Sequence, residues 1–356
     1  MGGDGNGNVL PVVKPKTVLE SLQQGLKRAF ADDERVILLG EDVLDPYGGA
    51  FKVTKGLSTL YPERVITTPI SEAAIVGAAG GMALRGLRPI VEIMFGDFIT
   101  LIADQVINHL TKFPFMYRQG VSVPLVIRTP MGGRRGYGAT HSQSLEKLFL
   151  GVPQLRVLAP HTFGDPGELL YQAVRFTKSP LFFVEHKLLY PLPLFDSGTQ
   201  LDLDLEVMDE SEDLIKSGGF SAATLRVWIH GAPRPQVTLA AYGYMAELAR
   251  QAMLTLAYDD EIFCELLVFT QLAPLNIEAL MDSLKRTGKL IAIEEGTLAW
   301  GWGAEVIAQA SECLGSALKS VRRVAAQDML IPASRPLEDQ ILPSQQDIIE
   351  AVRALV

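Results

Sequence analysis

Cysteine is scarce in this chain of 356 residues: only Cys264 and Cys313 occur, at a spacing that fits no metal-ligand pattern. Two reduced thiols suit a reducing compartment, and we expect a cytoplasmic protein. Long apolar runs are also missing. The longest candidate, Ala73 to Leu84, contains Gly77, Gly80 and Gly81 and meets Arg85, so it predicts a buried helix and no membrane span. The first eight residues lack a basic region followed by an apolar one, which argues against a secretory signal or a transit peptide. Positive charge is in deficit. A net charge of −9 makes a nucleic-acid partner improbable. No P-loop sequence is present, and Gly136-Tyr-Gly138 and Gly301-Trp-Gly303 lack the third glycine of a dinucleotide fingerprint. The five histidines (109, 141, 161, 186 and 230) have no metal-ligand spacing, so no metal site is expected on this chain.

The length predicts two domains, and 48% hydrophobic with 21% charged residues is a globular composition. Residues 1–16 read as a flexible tail, glycine-rich and then broken by Pro11 and Pro15. Apolar residues at helical spacing (Val18, Leu22, Leu26, Ala29, Phe30) open the first domain, 17–192. A short apolar strand at 36–39 follows, then helix 72–84, strand 89–94, helix 98–112, strand 123–128, strand 155–159, helix 165–176 and strand 181–185. Over 193–233 acidic residues cluster and glycines interrupt. This reads as a connector with an insertion, in which Leu225–Ile229 has the character of an extra strand. The second domain, 234–356, repeats the alternation with strands at 236–241, 262–268, 289–294 and 320–325 and helices at 244–256, 276–286, 303–314 and 346–355. Alternating helices and short apolar strands predict an α/β fold: two domains, each a mostly parallel sheet with helices on both faces.

Three features carry candidate chemistry. Thr68-Pro-Ile-Ser-Glu72 places one carboxylate at the entrance of an otherwise apolar helix. Ser71 as a cap and Glu72 near the positive end of the helix dipole would be an ordinary helix start; a catalytic acid is the alternative. His141 closes a glycine-rich loop, Gly132 to Ser144, of the kind α/β proteins place beyond their strands to hold ligands. A histidine bonded to a turn carbonyl is the plain alternative. In the same loop Arg134 and Arg135 have the forked donors to bind a carboxylate or phosphate, or are exposed loop charges. Phe98 opens a helix after Met94-Phe-Gly-Asp97, where an aromatic either joins the core or stacks on a heterocycle.

Taken in order, a set of segments resembles the β subunit of the thiamine diphosphate-dependent dehydrogenase component of 2-oxo acid dehydrogenase complexes of the pyruvate, branched-chain and acetoin types. The set includes Leu39-Gly-Glu41-Asp-Val43, Thr68 to Glu72, Gly86-Leu-Arg-Pro89, Asp104-Gln-Val-Ile-Asn108, His141-Ser-Gln-Ser144, Tyr242-Gly243, Pro274-Leu275 and Glu294-Glu-Gly296. The resemblance implies a transketolase-like pyrimidine-binding domain followed by a transketolase C-terminal domain. It implies thiamine diphosphate as a cofactor shared with an α subunit that holds the magnesium and diphosphate. Glu72 would bond the aminopyrimidine ring nitrogen; Glu41, Ile70, Met94 and Phe98 would line the cofactor. His141 would be the active-site histidine, with Arg134 and Arg135 as weaker candidates for the substrate. The partners would be the α subunit in an α2β2 heterotetramer and the lipoyl domain of an acyltransferase, or an acyl-carrier protein. The Gly3-Asp4-Gly5 triplet sits in the tail with no matching Asn, so it does not supply the diphosphate motif. Two departures stand out. Val268-Phe-Thr-Gln271 replaces the family's charged run, and Arg175 to Ser179 lacks its potassium-site Asp, so no potassium ion is expected. Two other readings stay open: a two-component transketolase-like enzyme moving a ketol or acyl unit onto a carrier, and a non-catalytic scaffold subunit.

Overall fold

The structure, a computed structural model, describes residues 15–118, 120–196, 202–208 and 219–356. Most of the expected tail and part of the acidic stretch in the connector, Asp209 to Asp213, lie outside them.

The first sheet has seven strands in the order β11-β5-β6-β4-β3-β1-β2. Its members are β1 (Val36–Gly40), β2 (Val65–Thr67), β3 (Arg88–Glu92), β4 (Val126–Met131), β5 (Arg156–Leu158), β6 (Leu181–His186) and β11 (Gln271–Ala273). Six of them are parallel. The seventh, β11, comes from the second half of the chain and pairs antiparallel with β5. The second sheet runs β13-β12-β9-β10-β8-β7, from β7 (Leu203–Val207), β8 (Leu225–Ile229), β9 (Val237–Ala241), β10 (Cys264–Val268), β12 (Lys289–Thr297) and β13 (Ser320–Ala326). Its β13-β12-β9-β10 part is parallel, and β8 and β7 add an antiparallel edge. Two mostly parallel sheets with helices match the expected fold class. The insertion in the connector is accounted for in part: β7 and β8 extend the second sheet, β8 at the expected position.

The helices form where apolar spacing placed them. Thr17 Oγ1 accepts from Glu20 N–H at 3.2 Å and starts the helix Val18–Asp32, whose stripe of Val18, Leu22, Leu26, Ala29 and Phe30 is buried. This helix meets Pro166–Phe176 at backbone contact: a Cβ on Gly25 would collide with Gly167 O, and one on Gly167 with Ser21 O. The expected helix 98–112 is different. It is a 3₁₀ segment, Gly96–Ile102, followed by a π segment, Gln105–Leu110, and a short α turn, Phe113–Met116. The Thr111 hydroxyl donates to the carbonyls of Val106 and Ile107, so a side chain competes with the regular ladder at the end of the segment. The strand expected at 123–128 runs instead over 126–131, because Pro124 brings no N–H to the ladder and Val123–Leu125 forms a tight turn.

One apolar cluster joins the two halves. It runs from Leu39, Val91 and Ile127 through Phe149 and Phe182 to Phe269, Leu272 and Trp302. At the centre of the first sheet Arg128 is fully buried. It donates to both oxygens of Glu185 at 2.7 and 2.8 Å and to Glu92 at 2.7 Å, and the Tyr190 hydroxyl adds a bond to Glu185. Burial alone would push the Arg128 guanidinium down, but the Glu185 and Glu92 carboxylates outweigh it and hold it above its ordinary value. Arg128→Met strands two buried carboxylates, Glu92 and Glu185, on the strands β3 and β6 that flank β4. Unfolding in urea is expected to show a loss of about 3–5 kcal/mol; a loss within 1 kcal/mol would show the triad to be dispensable.

Candidate active site

The parallel strands of the first sheet deliver their following loops to one edge, the carboxyl end, where α/β folds build sites. Glu41 follows β1 directly, Met94 lies two residues past β3, and the glycine loop with His141 follows β4. The segment after β2 turns along the same edge, Thr68 N–H donating to Gly40 O at 3.0 Å, and delivers Glu72 as the first residue of helix Glu72–Leu84.

Glu41 and Glu72 are both buried and close enough to repel each other. Burial, then the Glu72 charge, raises the Glu41 carboxyl above its ordinary value, offset in part by a hydrogen bond from Ser71 N–H. Among the described residues Glu41 Oε1 and Thr68 Oγ1 are buried without a hydrogen-bond partner. Orphaned acceptors beside a second carboxylate suit a ligand that donates hydrogen bonds, as an aminopyrimidine does. Ser71 does not cap the helix through its side chain, so the ordinary helix-start reading loses its cap. Ile70 beside them is 84% exposed, an apolar side chain standing off the surface.

His141 is half-buried and held by rings. Its centroid lies 4.8 Å from Phe95 and 5.3 Å from Phe98, both edge-on, and Nδ1 lies 2.9 Å from Thr140 Oγ1. With Nδ1 engaged there, Nε2 is the nitrogen left for a ligand. The His141 carbonyl accepts from Lys187 Nζ, a buried ammonium that also faces the rings of Phe95 and Tyr137. Burial pulls the Lys187 amine down to about 8 against the opposing pull of Asp97 and Glu295. Asp97 in turn accepts from the Gln143 side chain at 2.8 Å. The structure thus brings Phe98 and His141 together, and Glu41 and Glu72 together.

The glycine loop is fixed from the second domain. Glu295 accepts from Gly133 N–H at 2.8 Å and from His186 Nε2 at 3.1 Å, and pairs with Arg134. Burial would push the Glu295 carboxyl up; its contacts with His186 and Arg134 and the hydrogen bonds prevail and hold it well below the usual carboxylate range. Glu338 accepts from Arg134 N–H at 2.7 Å and Gly136 N–H at 3.2 Å. Gly132, at φ +93°, admits the His186 ring where any Cβ would stand. Arg134 is therefore committed to Glu295 and the Pro343 carbonyl and is not a free anion ligand, contrary to the sequence expectation. Its neighbour Arg135 is exposed and makes one contact, Nη2 to Lys187 O at 3.3 Å.

Sequence reasoning missed Glu295, Glu338, Lys187 and Asp97 as parts of this arrangement. Two signals were present: adjacent acids ending the apolar run of β12, and the ionisable run Glu185-His-Lys187 closing β6. Nothing local marks Glu338. Among the described residues no cluster of three or more His, Cys, Asp or Glu could hold a metal ion, and no helix is long and apolar enough to cross a membrane.

With this geometry in place the comparisons are direct. Residues 14–193 match the transketolase pyrimidine-binding domain and residues 226–348 the transketolase C-terminal domain. The chain is 32% identical to the acetoin:2,6-dichlorophenolindophenol oxidoreductase subunit beta of Cupriavidus necator, over 94% of this chain and 95% of that protein. It is 35% identical to the mitochondrial pyruvate dehydrogenase E1 component subunit beta-2 of Oryza sativa subsp. japonica, over 96% of this chain and 86% of that protein. With the pyruvate dehydrogenase E1 component subunit beta of Rickettsia bellii it shares 33% identity over 95% and 97%. A solved split-gene transketolase, described as an inactive beta4 tetramer, superposes with a TM-score of 0.71 at 17% identity, covering 96% of this chain and 98% of that one, and shows the shared fold. The fold is transketolase-like. The chain belongs to the family of dehydrogenase β subunits built from a transketolase pyrimidine-binding and a transketolase C-terminal domain.

Two outcomes test the junction. Arg134→Ala leaves Glu295 with one cationic partner fewer and is expected to cost about 2–4 kcal/mol in denaturant unfolding, against under about 0.5 kcal/mol for Arg135→Ala; equal losses would contradict the ion-pair assignment. Glu294, buried under the helix Trp302–Leu314 and accepting from Trp302 N–H at 2.7 Å and Gly303 N–H at 2.9 Å, is raised by burial to about 7. A folded value above the unfolded one means the stability this group contributes is present at acid pH and lost as pH rises through about 7, on the order of 3 kcal/mol. Unfolding curves of the native chain and Glu294→Gln between about pH 5 and pH 8 should diverge in slope; parallel profiles would place the titration elsewhere.

Proposed function

We propose that this chain is the β subunit of a thiamine diphosphate-dependent 2-oxo acid dehydrogenase, which decarboxylates a 2-oxo acid and passes the acyl group to the lipoyl domain of an acyltransferase. The observation that carries this reading is the buried Glu41–Glu72 pair at the carboxyl edge of a pyrimidine-binding domain, with orphaned acceptors suited to an aminopyrimidine. It is supported by the names of the relatives at 32–35% identity over nearly the whole chain.

In this reading Glu72 would hold a proton at the ring nitrogen of the cofactor's aminopyrimidine and so favour the basic form of its exocyclic nitrogen. When bound, thiamine diphosphate supplies the carbon nucleophile for the 2-oxo carbon and an electron sink for decarboxylation. Glu41 would accept from the amino group, while Met94 and Phe98 would wall the ring. The exposed Ile70 gives the cofactor, or the α subunit behind it, an apolar surface. His141 Nε2 donates to, and takes back a proton from, the substrate oxygen as the acyl group leaves; the rings of Phe95 and Phe98 keep its imidazole upright. We assign magnesium and the diphosphate to the α subunit, in an α2β2 heterotetramer, and place the enzyme in the cytoplasm. An acyl-carrier protein is the alternative acceptor. The transketolase-like reading with a sugar-phosphate donor loses support, because Arg134 is already paired and Arg135 alone remains. The scaffold reading has no use for a buried pair of carboxylates.

Glu72→Gln in the assembled enzyme is expected to lower kcat by about 10²–10⁴ with the α subunit still bound. An unchanged rate in an intact assembly would remove Glu72 from the chemistry.

A further inference from the structure

Away from the carboxyl edge, a cavity of about 220 Å³ opens where three parts of the chain meet: the segment 160–172 of the first domain, residues 221–225 of the connector and Thr270 just before β11. His161 lines it and is 4% exposed. Its proton can be placed from its partners. Thr270 Oγ1 donates to Ala223 O at 2.7 Å, so toward His161, 2.9 Å away, that oxygen has only a lone pair to offer. Nε2 therefore carries the hydrogen, and Nδ1 presents a bare lone pair. Burial pushes the imidazole down to about 4, which keeps it neutral at physiological pH. Nδ1 is buried and has no hydrogen-bond partner among the described residues. The Cε1–Nδ1 edge faces Gly164, another wall of the same cavity; a Cβ there would lie 3.2 Å from Cε1 and 3.8 Å from Nδ1.

A buried acceptor on a ring that borders a cavity calls for a donor. The remaining walls select its charge. Among the described residues no lysine or arginine lines the cavity, whereas Asp165 and Glu168 do. Glu168 is paired with Arg28 from outside. Asp165 uses Oδ1 to accept from Gly167 N–H, Glu168 N–H and the Ser21 hydroxyl, and no cation faces it among the described residues. Anions are thus disfavoured and a small cation is favoured. Leu169 and Leu225 supply an apolar wall for a short alkyl stem.

We infer that this cavity is a binding site for a short-chain primary ammonium ion, whose N–H groups donate to His161 Nδ1 and whose charge is met by Asp165. The site is separate from the Glu72–His141 edge and does not depend on the function proposed there. Because it bridges both domains and the connector, its occupant clamps the junction and raises the chain's thermal stability by linkage.

The test is a titration of the full chain, labelled with ¹⁵N-histidine, with n-propylammonium chloride, using n-propanol and sodium propionate as controls. The expected result is a saturable shift of the His161 Nδ1 resonance, a rise in Tm with propylammonium only, and retention of the Nε2–H tautomer. Asp165→Asn keeps an acceptor at the helix start but removes the charge, and should weaken propylammonium about tenfold or more. Ala222→Leu fills the cavity while leaving His161 in place, and should abolish the shift. Three results would overturn the assignment: propanol binding as tightly as propylammonium, an Nδ1 resonance already hydrogen-bonded in plain buffer and unmoved by the titrant (a buried water), or a shift that survives Ala222→Leu.

Discussion

The Glu295 carboxylate, on a strand of the second sheet, receives the Gly133 N–H, the His186 ring and the Arg134 guanidinium, all from the first domain. It is the contact on which the rest of the candidate active site depends. A glycine-rich loop has little conformational preference of its own, and His141 sits at the end of one. Fixing the start of the loop at Gly133, with Glu338 fixing Arg134 and Gly136, converts a flexible segment into a support for an imidazole. Such a contact is costly to desolvate, and it is tolerated because every lone pair of consequence on Glu295 meets a donor.

The two buried ionic clusters have different roles. Arg128, Glu92 and Glu185 tie adjacent parallel strands of one sheet and set the ends from which the loops depart. Glu295, Arg134 and His186 tie the two domains. Between them lies the continuous apolar cluster from Leu39 to Trp302, which removes the freedom a two-domain chain would otherwise have. The strand β11 adds to this by leaving the second domain and joining the edge of the first sheet. The carboxyl edge with Glu41, Glu72 and His141 is therefore built on a rigid body.

Much of the fold was legible because its signals are local. The apolar runs of β1, β6, β9 and β10 and the stripe of Val18, Leu22, Leu26, Ala29 and Phe30 name their own structures, since each element buries a face with a fixed period. The segment 98–112 was misread as a regular helix for the same reason: its apolar spacing is helical, but Thr111 bonds back onto the Val106 and Ile107 carbonyls and Asp97 is tied to Gln143 of another loop, which spacing does not reveal. The strand β11 was invisible because three residues, Gln271–Ala273, carry no period, and their partner β5 is over a hundred positions away. Among site residues, Glu72 was conspicuous as an acid opening an apolar helix and His141 as the end of a glycine loop. Arg134 and Arg135 looked alike in sequence, and only the fold separates the one bound to Glu295 from the one in solvent.

The sequence by itself determined the alternation of strands and helices, the position of Glu72 at a helix start and of His141 in a glycine-rich loop, and the resemblance to a dehydrogenase β subunit. These follow from period, punctuation and ordered motifs, which are properties of neighbours along the chain. The tertiary structure alone decided which side chains meet: Glu41 beside Glu72, Glu295 with His186 and Arg134, and His161 with Thr270. Those depend on burial and on distances between residues far apart in sequence, because a charge acquires its chemistry from what surrounds it once water has been excluded.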